Sequence, residues 1–145
     1  MHNLKVKYRD NIPCQDFEFV DGKSDWIDLR SNQSIALKQG EFALIDLGFA
    51  MQLPYGYEAH LVPRSSTFKN FGILQTNSIG IIDNSYCGNE DYWLMSVYAT
   101  RDTFINKGDR ICQFRITKKM EDISITEVQS LNNTNRGGFG STGVK

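Results

Sequence analysis

The sequence predicts an all-β fold, a sandwich or barrel-like arrangement with one short helix. Three observations carry that reading. Short segments rich in β-branched and aromatic residues, partly alternating in polarity, recur along the 145 residues. Turn-forming clusters separate them at the spacing seen in all-β domains. A single stretch has helical character.

Taken in order, "NLKVKY" predicts the first strand. "SIALKQGEFALIDLGFAMQL" predicts further strand material broken by a turn at Lys38-Gln39-Gly40. "YEAHLVPRS" follows a turn at Pro54-Tyr55-Gly56. "SSTFKNFGIL", from Ser65, predicts the short helix, with a serine available as its cap. "NSIGIIDNSYCG" reads as strand, turn, strand, with Asp83 at the bend. "YWLMSVYAT" is another strand, and a turn at Asn106-Lys107-Gly108-Asp109 leads into "RICQFRI". "ISITEV" predicts the last strand, and core character ends near Val128. Residues 1–128 therefore read as a single β-rich domain and 129–145 as a polar, glycine-rich C-terminal arm.

Composition narrows the class of function. Hydrophobic residues make up 40% and charged residues 23%, with net charge −1, so a core can form without metals or disulfides. The near-neutral balance argues against a general nucleic-acid binder, which would be basic. No apolar run reaches the length of a membrane span, and "MHNLKVKYRD" lacks the apolar stretch of a signal peptide. Cys14, Cys87 and Cys112 are odd in number and lack C-x-x-C spacing, so they read as free thiols of a reducing, cytoplasmic compartment. His2 and His60 alone do not make a metal site.

Polar clusters between the strands admit two readings each. "PRSS" puts Arg64, Ser65 and Ser66 where a strand gives way to the helix, as an anion site or as a helix cap with a surface arginine. Asp83 is either a turn former or, lying between Ile81, Ile82 and Tyr86, a partly desolvated carboxylate able to activate water. Gln113 in "KGDRICQF" falls on the opposite face from Cys112 and Phe114, facing solvent or a pocket. Asp25 and Asp28 in "DWIDLRS" suit ordinary strand ends. The terminal "RGGFGSTG" is either a disordered tail or a segment that orders on a ligand, its amides, hydroxyls and guanidinium suiting phosphate and Phe139 suiting a flat ring.

Five such clusters in this order, "WIDLRS", "PRSS", "GIIDNSYCG", "GDRICQF" and "RGGFGSTG", resemble the five motifs of the trimeric dUTP pyrophosphatase (dUTPase) family over nearly the whole chain. The resemblance implies a distorted jelly-roll or β-barrel-like subunit, a homotrimer with shared sites, and hydrolysis of dUTP to dUMP and pyrophosphate with Mg2+ bound through the triphosphate. It implies a role in keeping uracil out of DNA and in supplying dUMP for thymidylate synthesis. By position, Asp83 matches the aspartate that activates the attacking water, and Tyr86 the ring that packs under deoxyribose. Asn77, Gly80 and Ile82 match the segment that reads uracil. Arg64, Ser65, Ser66 and Gln113 match positions around the phosphates, and Asp28 an aspartate near the metal's water shell. Arg136, Phe139, Gly140, Ser141 and Thr142 match a flexible arm that closes over the nucleotide. The chain departs from the family in three places. Trp26-Ile27 precede Asp28, Cys87 stands where a basic or amide residue is common, and the acidic, aromatic "NEDYWLM" leaves uracil recognition to be completed by a residue within Glu90 to Tyr92. Two alternatives to plain dUTP hydrolysis share the fold: a dCTP deaminase, which needs a glutamate base, and a dUTPase scaffold with an added regulatory protein-binding role.

Overall fold

Alternating and β-branched segments become strands throughout. A computed structural model describes residues 1–19, 23–140 and 142–144. Its strands are β1 (Lys5–Tyr8), β2 (Ile27–Arg30), β3 (Ile35–Leu37), β4 (Phe42–Asp46), β5 (Phe49–Gln52), β6 (Tyr57–Pro63), β7 (Ile73–Gln75), β8 (Gly80–Ile82), β9 (Leu94–Ala99), β10 (Thr103–Ile105) and β11 (Arg110–Lys118). Among the described residues there is one α-helix, α1 (Thr67–Phe71), and one 3-10 turn at Arg9–Asn11. The two larger sheets are four-stranded, in the order β2-β11-β6-β8, and three-stranded, in the order β4-β9-β7. The pairs β1-β5 and β10-β3 complete the fold, and every pairing is antiparallel.

The inner faces of the two larger sheets meet in one core. Leu29, Leu61 and Phe114 come from one sheet, Ile45, Met95 and Val97 from the other. Trp93, just ahead of β9, is fully buried between Phe49 and Phe114, with ring centroids 4.9 and 5.2 Å away. Each such side chain taken out of water contributes about 1.5–3 kcal/mol. In β6, Ala59 and Leu61 are buried while Glu58, His60 and Val62 are half-buried, the period of a strand with one face inward.

Three of the expected turns are in place. Gly56 closes the one between β5 and β6 at φ 82°, and Gly108 the one before β11 at φ 94°, both in the region that favours glycine. The Lys38 turn joins β3 to β4, with the Glu41 amide donating to the Lys38 carbonyl at 3.0 Å.

Three local expectations are corrected. Ser66 stands at the cap of α1 but makes no side-chain capping bond. Instead the buried Thr67 hydroxyl accepts from the Arg64 amide at 2.8 Å and donates to the Ile111 carbonyl at 2.9 Å, tying the helix start to β11. After Asp83 no strand follows directly. Residues 86–93 form a loop held by Gly88 and Asp91, because β9 belongs to the other sheet. "ISITEV" is not a strand either, since none of the described residues pairs with it; Ile125 is 89% exposed, and residues 119–140 are exposed throughout.

The N-terminal segment is fastened to the β4–β5 junction by Asp46. Arg9 donates to its two oxygens at 3.0 and 2.7 Å, and Asn32 donates at 2.8 Å. Burial alone would raise the Asp46 pKa, but the Arg9 and Asn32 hydrogen bonds outweigh it and hold the carboxyl below its ordinary value. A depressed folded-state pKa stabilises fully above the ordinary carboxylate value of about 4, and this contribution is lost as pH falls through the folded value. Asp46→Asn should therefore cost about 1–2 kcal/mol at neutral pH, the low end for a charge-assisted pair because Arg9 is partly exposed. Thermal melts of both proteins should show that deficit narrowing steadily as the buffer is taken below about pH 4.

Candidate active site

Three motifs distant in sequence converge where β2, β11 and β6 lie side by side. Gln113 is directly opposite Asp28 on one neighbour and Val62 on the other, so the three side chains share a face. The chain then leaves β6 through Pro63 into Arg64 and Ser65. The result is a cleft of about 360 Å³ lined by Lys23, Ser24, Asp28, Arg64, Ser65, Arg110 and Gln113. Asp28, 23% exposed, is bracketed by two guanidiniums on the same oxygen: Arg64 Nε lies 3.2 Å and Arg110 Nη1 3.4 Å from Oδ2. Arg110 also reaches Asp16 at 3.9 Å, and Asp16 pairs with Arg30 at 3.2 Å. Gln113 donates its amide to the Pro63 carbonyl at 3.1 Å. Beneath this face Cys112 is fully buried; burial first, then the Asp28 charge, push its thiol far above the usual value, so it stays protonated.

Lys23, Ser24 and Arg110 line this cleft without being singled out by the sequence, and for Arg110 the reason is strand register. Plain alternation along β11 places it with Cys112 and Phe114, facing inward. A β-bulge between Arg110 and Cys112 shifts the register and turns it to Asp28's side.

The other site residues lie elsewhere. Gly80 and Ile82 are in β8, which pairs with β6 at Leu61 and Ala59; Asn77 is exposed in the turn before it. Ile82 and Tyr86 line a smaller cleft of about 160 Å³ with Ile81, Tyr92, Trp93 and Leu94. Tyr86, Glu90 and Tyr92 also border a broader cleft of about 490 Å³ with Arg9, Asp10 and Leu94. Within the Glu90–Tyr92 stretch, Glu90 and Tyr92 face this cleft. The Asp91 carboxylate instead accepts from the Gly88 amide at 2.8 Å. Tyr86 donates its hydroxyl to the Tyr92 carbonyl at 3.0 Å, and Arg9 stacks 3.9 Å over the Tyr92 ring.

Asp83 is exposed at the end of β8, and the partial desolvation its apolar neighbours suggest is not met within one chain. Ile81 points into solvent, and the Tyr86 ring is engaged with Tyr92. Nor does Asp83 approach the Asp28 cleft. Ile82 is opposite Ala59, so Asp83 continues toward the Glu58 end of β6, whereas Arg64 lies past the other end. At ~3.3 Å per residue that separation is about 20 Å. Ser66 sits at the start of α1, outside the residues that line the cleft. Arg136, Phe139, Gly140 and Thr142 are exposed in the C-terminal segment, and Ser141 lies outside the described residues.

A family model described as dUTPase matches residues 25–143. The chain is 56% identical over 142 residues to the SPbeta prophage-derived deoxyuridine 5'-triphosphate nucleotidohydrolase of Bacillus subtilis (strain 168), covering 98% of this chain and 99% of that one. The chain belongs to the dUTPase family. Its fold is that of solved dUTPases. A dUTPase of Staphylococcus bacteriophage 80alpha with dUpNHpp has a TM-score of 0.75 at 20% identity, covering 98% of this chain and 99% of that one. A dUTPase from phage phi11 of S. aureus, which coordinates a structural Mg(II) ion, has a TM-score of 0.74 at 18% identity, covering 90% and 99%. Family membership sets aside the dCTP deaminase alternative.

In this dUTPase-family chain the Asp28 cleft has the chemistry of an anion site, with two arginines held in place and one carboxylate already neutralised. Pyrophosphate should bind the protein in calorimetric titrations, more weakly as salt rises. Arg64→Gln and Arg110→Gln should each weaken it about tenfold or more, as loss of a charge-assisted hydrogen bond requires.

Proposed function

We propose that the protein hydrolyses dUTP to dUMP and pyrophosphate as a cytoplasmic homotrimer whose sites are each assembled from more than one subunit. The observation that carries the shared site is the separation of Asp83 from the Asp28–Arg64–Gln113 cleft along β6, about 20 Å within one chain. A water cannot be activated by one and attack a phosphate held by the other unless a second copy closes the distance. Exposed apolar side chains support association. Phe42, Leu44, Leu74 and Tyr98 stand on the β4-β9-β7 sheet, and Ile123 and Ile125 on the segment after β11. The cytoplasmic assignment rests on the three free thiols. Among the described residues no helix is long and apolar enough to cross a membrane.

In this reading Arg64, Ser65, Ser66 and Gln113, with Arg110 beside them, take up the phosphate oxygens and spread the charge that would repel a nucleophile. Asn77, Gly80 and Ile82 meet the uracil edge, where an unpaired polar group left by the wrong base is costly. Tyr86 packs under the deoxyribose. Asp83 orients a water and accepts its proton as the water oxygen attacks the α-phosphorus in line. The bond to the α,β-bridging oxygen breaks and pyrophosphate leaves. Arg136, Phe139, Gly140, Ser141 and Thr142 close over the nucleotide.

The donor chemistry of the cleft fits Mg2+ carried by the triphosphate. Asp28 is the one carboxylate among its lining residues, and the Oδ2 atom already faces two guanidiniums, whereas a protein cage would need several free oxygens. Asp28 would then hold a water of the metal, and the ion's chemistry there is to offset phosphate charge.

Two experiments test this reading. Trimming Tyr86 to Ala should raise the relative rate on UTP against dUTP even as it weakens binding, because the ring that excludes a 2′-hydroxyl is gone. An unchanged preference would place sugar discrimination elsewhere. Asp83→Asn should remove about 100- to 10,000-fold of turnover while leaving nucleotide binding intact. A chain cut after Thr134 should fold but barely turn over. Refolded together, these two inactive proteins should recover activity above either alone, since in this reading Asp83 and the arm that serves it come from different subunits and mixed trimers then hold complete sites. Mixed trimers that form without recovering activity would show that the arm of one subunit does not serve the Asp83 of another.

A further inference from the structure

Among the described residues, no side-chain hydrogen bond or ion pair holds the Asp83 carboxylate. Its place is set by the backbone, and the backbone has few attachments there. Pairing of β8 with β6 ends at Ile82 opposite Ala59. Beyond it, the Tyr86 amide donates to the Asp83 carbonyl at 3.0 Å, closing a turn over Asn84 and Ser85. Ser85 is exposed, but Asn84 is half-buried, and its Nδ2 donates to two carbonyls of the turn between β5 and β6: Pro54 at 2.8 Å and Tyr57 at 2.9 Å.

We infer that Asn84 is a positioning residue for the reaction. By tying the Asp83 turn to the turn at residues 54–57, it sets where the base stands. The inference rests on the assignment of Asp83 as that base. Two carbonyl acceptors require the amide nitrogen, both of whose protons are used; an oxygen in its place would face two oxygens. The anchor itself is firm. The Pro54 carbonyl also accepts the Tyr57 amide at 3.1 Å, and the Gly56 carbonyl accepts the Lys119 amide at 2.9 Å. Lys119 is where the chain leaves β11 toward Arg136 and Phe139. One turn therefore anchors both the loop that carries the base and the root of the segment that carries the arm. A catalytic base must be held closely: a misplacement of about 1 Å costs on the order of 100-fold in rate.

The test uses the full-length protein and pyrophosphate release from dUTP. Asn84→Ala should lower kcat about 10- to 100-fold and leave KM within about twofold, because the phosphate-holding cleft lies past the other end of β6 and Tyr86 keeps its own hydroxyl bond to Tyr92. Asn84→Ser keeps one hydroxyl donor for two carbonyls and should fall between; it carries the comparison if the alanine variant does not fold. The double variant Asp83→Asn/Asn84→Ala should be no slower than Asp83→Asn alone, since a base that is absent cannot be misplaced. Turnover retained by Asp83→Asn would remove the base assignment itself. With Asp83→Asn inactive, a wild-type kcat in both Asn84 variants overturns the inference. So does a loss in the double variant that multiplies the two single losses, because Asn84 would then act by another route.

Discussion

Strand β11 pairs with β6 from Cys112 to its end and over its first half with β2, and its register decides everything built on that sheet. One face carries Cys112 and Phe114 into the core against Leu29 and Leu61; the other carries Gln113 outward between Asp28 and Val62. A slip of one residue would put Phe114 into the cleft and Gln113 into the core. The hydrophobic core is thus also what aligns the polar face. Burial of Phe114 against Trp93 and burial of Cys112 hold the strand in the register in which Asp28, Gln113 and the exit of β6 meet.

On that face, charges are arranged in alternation. Arg64 and Arg110 flank Asp28, and Asp16 stands between Arg110 and Arg30. A cluster of bare guanidiniums would repel itself and stay mobile; interleaved carboxylates hold each one in place at modest net charge. The side chain of Gln15 helps to seat the N-terminal segment that brings Asp16 there. It accepts from the Arg30 amide and donates to the Arg30 and Leu47 carbonyls, each at 2.8 Å, as a short piece of strand would. The preorganisation lies in side chains fastened to strand ends, which move less than loop side chains do.

Asp83 and Tyr86, the groups assigned to water and sugar, follow β8 on the same sheet but at the opposite end of β6, while Gly80 pairs with Leu61 nearer the Arg64 end. They hang on shorter attachments: the three-residue strand β8, the Asn84 clasp and the Tyr86 hydroxyl. In the proposed function, such a subunit contributes two half-sites rather than one whole one. Under the proposed reading, assembly becomes a condition of activity and would cover the apolar surface that β4, β7 and β9 leave outward in a single chain.

The sequence by itself determined the all-β class, the order of most strands, the turns at Gly40, Gly56 and Gly108, and the five motifs that place the chain in its family. These are local or one-dimensional properties: alternation, glycine backbone freedom and motif spacing survive without knowledge of what packs where. It also named Asp28, Arg64, Ser65 and Gln113 of the cleft, but not Lys23, Ser24 or Arg110, whose direction depends on a bulge that no pattern announces. Other features came only from tertiary structure. Thr67 replaces Ser66 as the group that holds the helix start because Ile111 lies within its reach. "ISITEV" has a strand's alternation but no partner strand among the described residues, and pairing, not propensity, makes a strand. Asn84 reads as an ordinary turn residue until Pro54 and Tyr57, some thirty positions earlier, are brought beside it. The distance between Asp83 and Arg64 was likewise beyond the sequence, since two motifs close in chain order can stand at opposite ends of one strand. Strand register, set by the burial of the core, decides such distances.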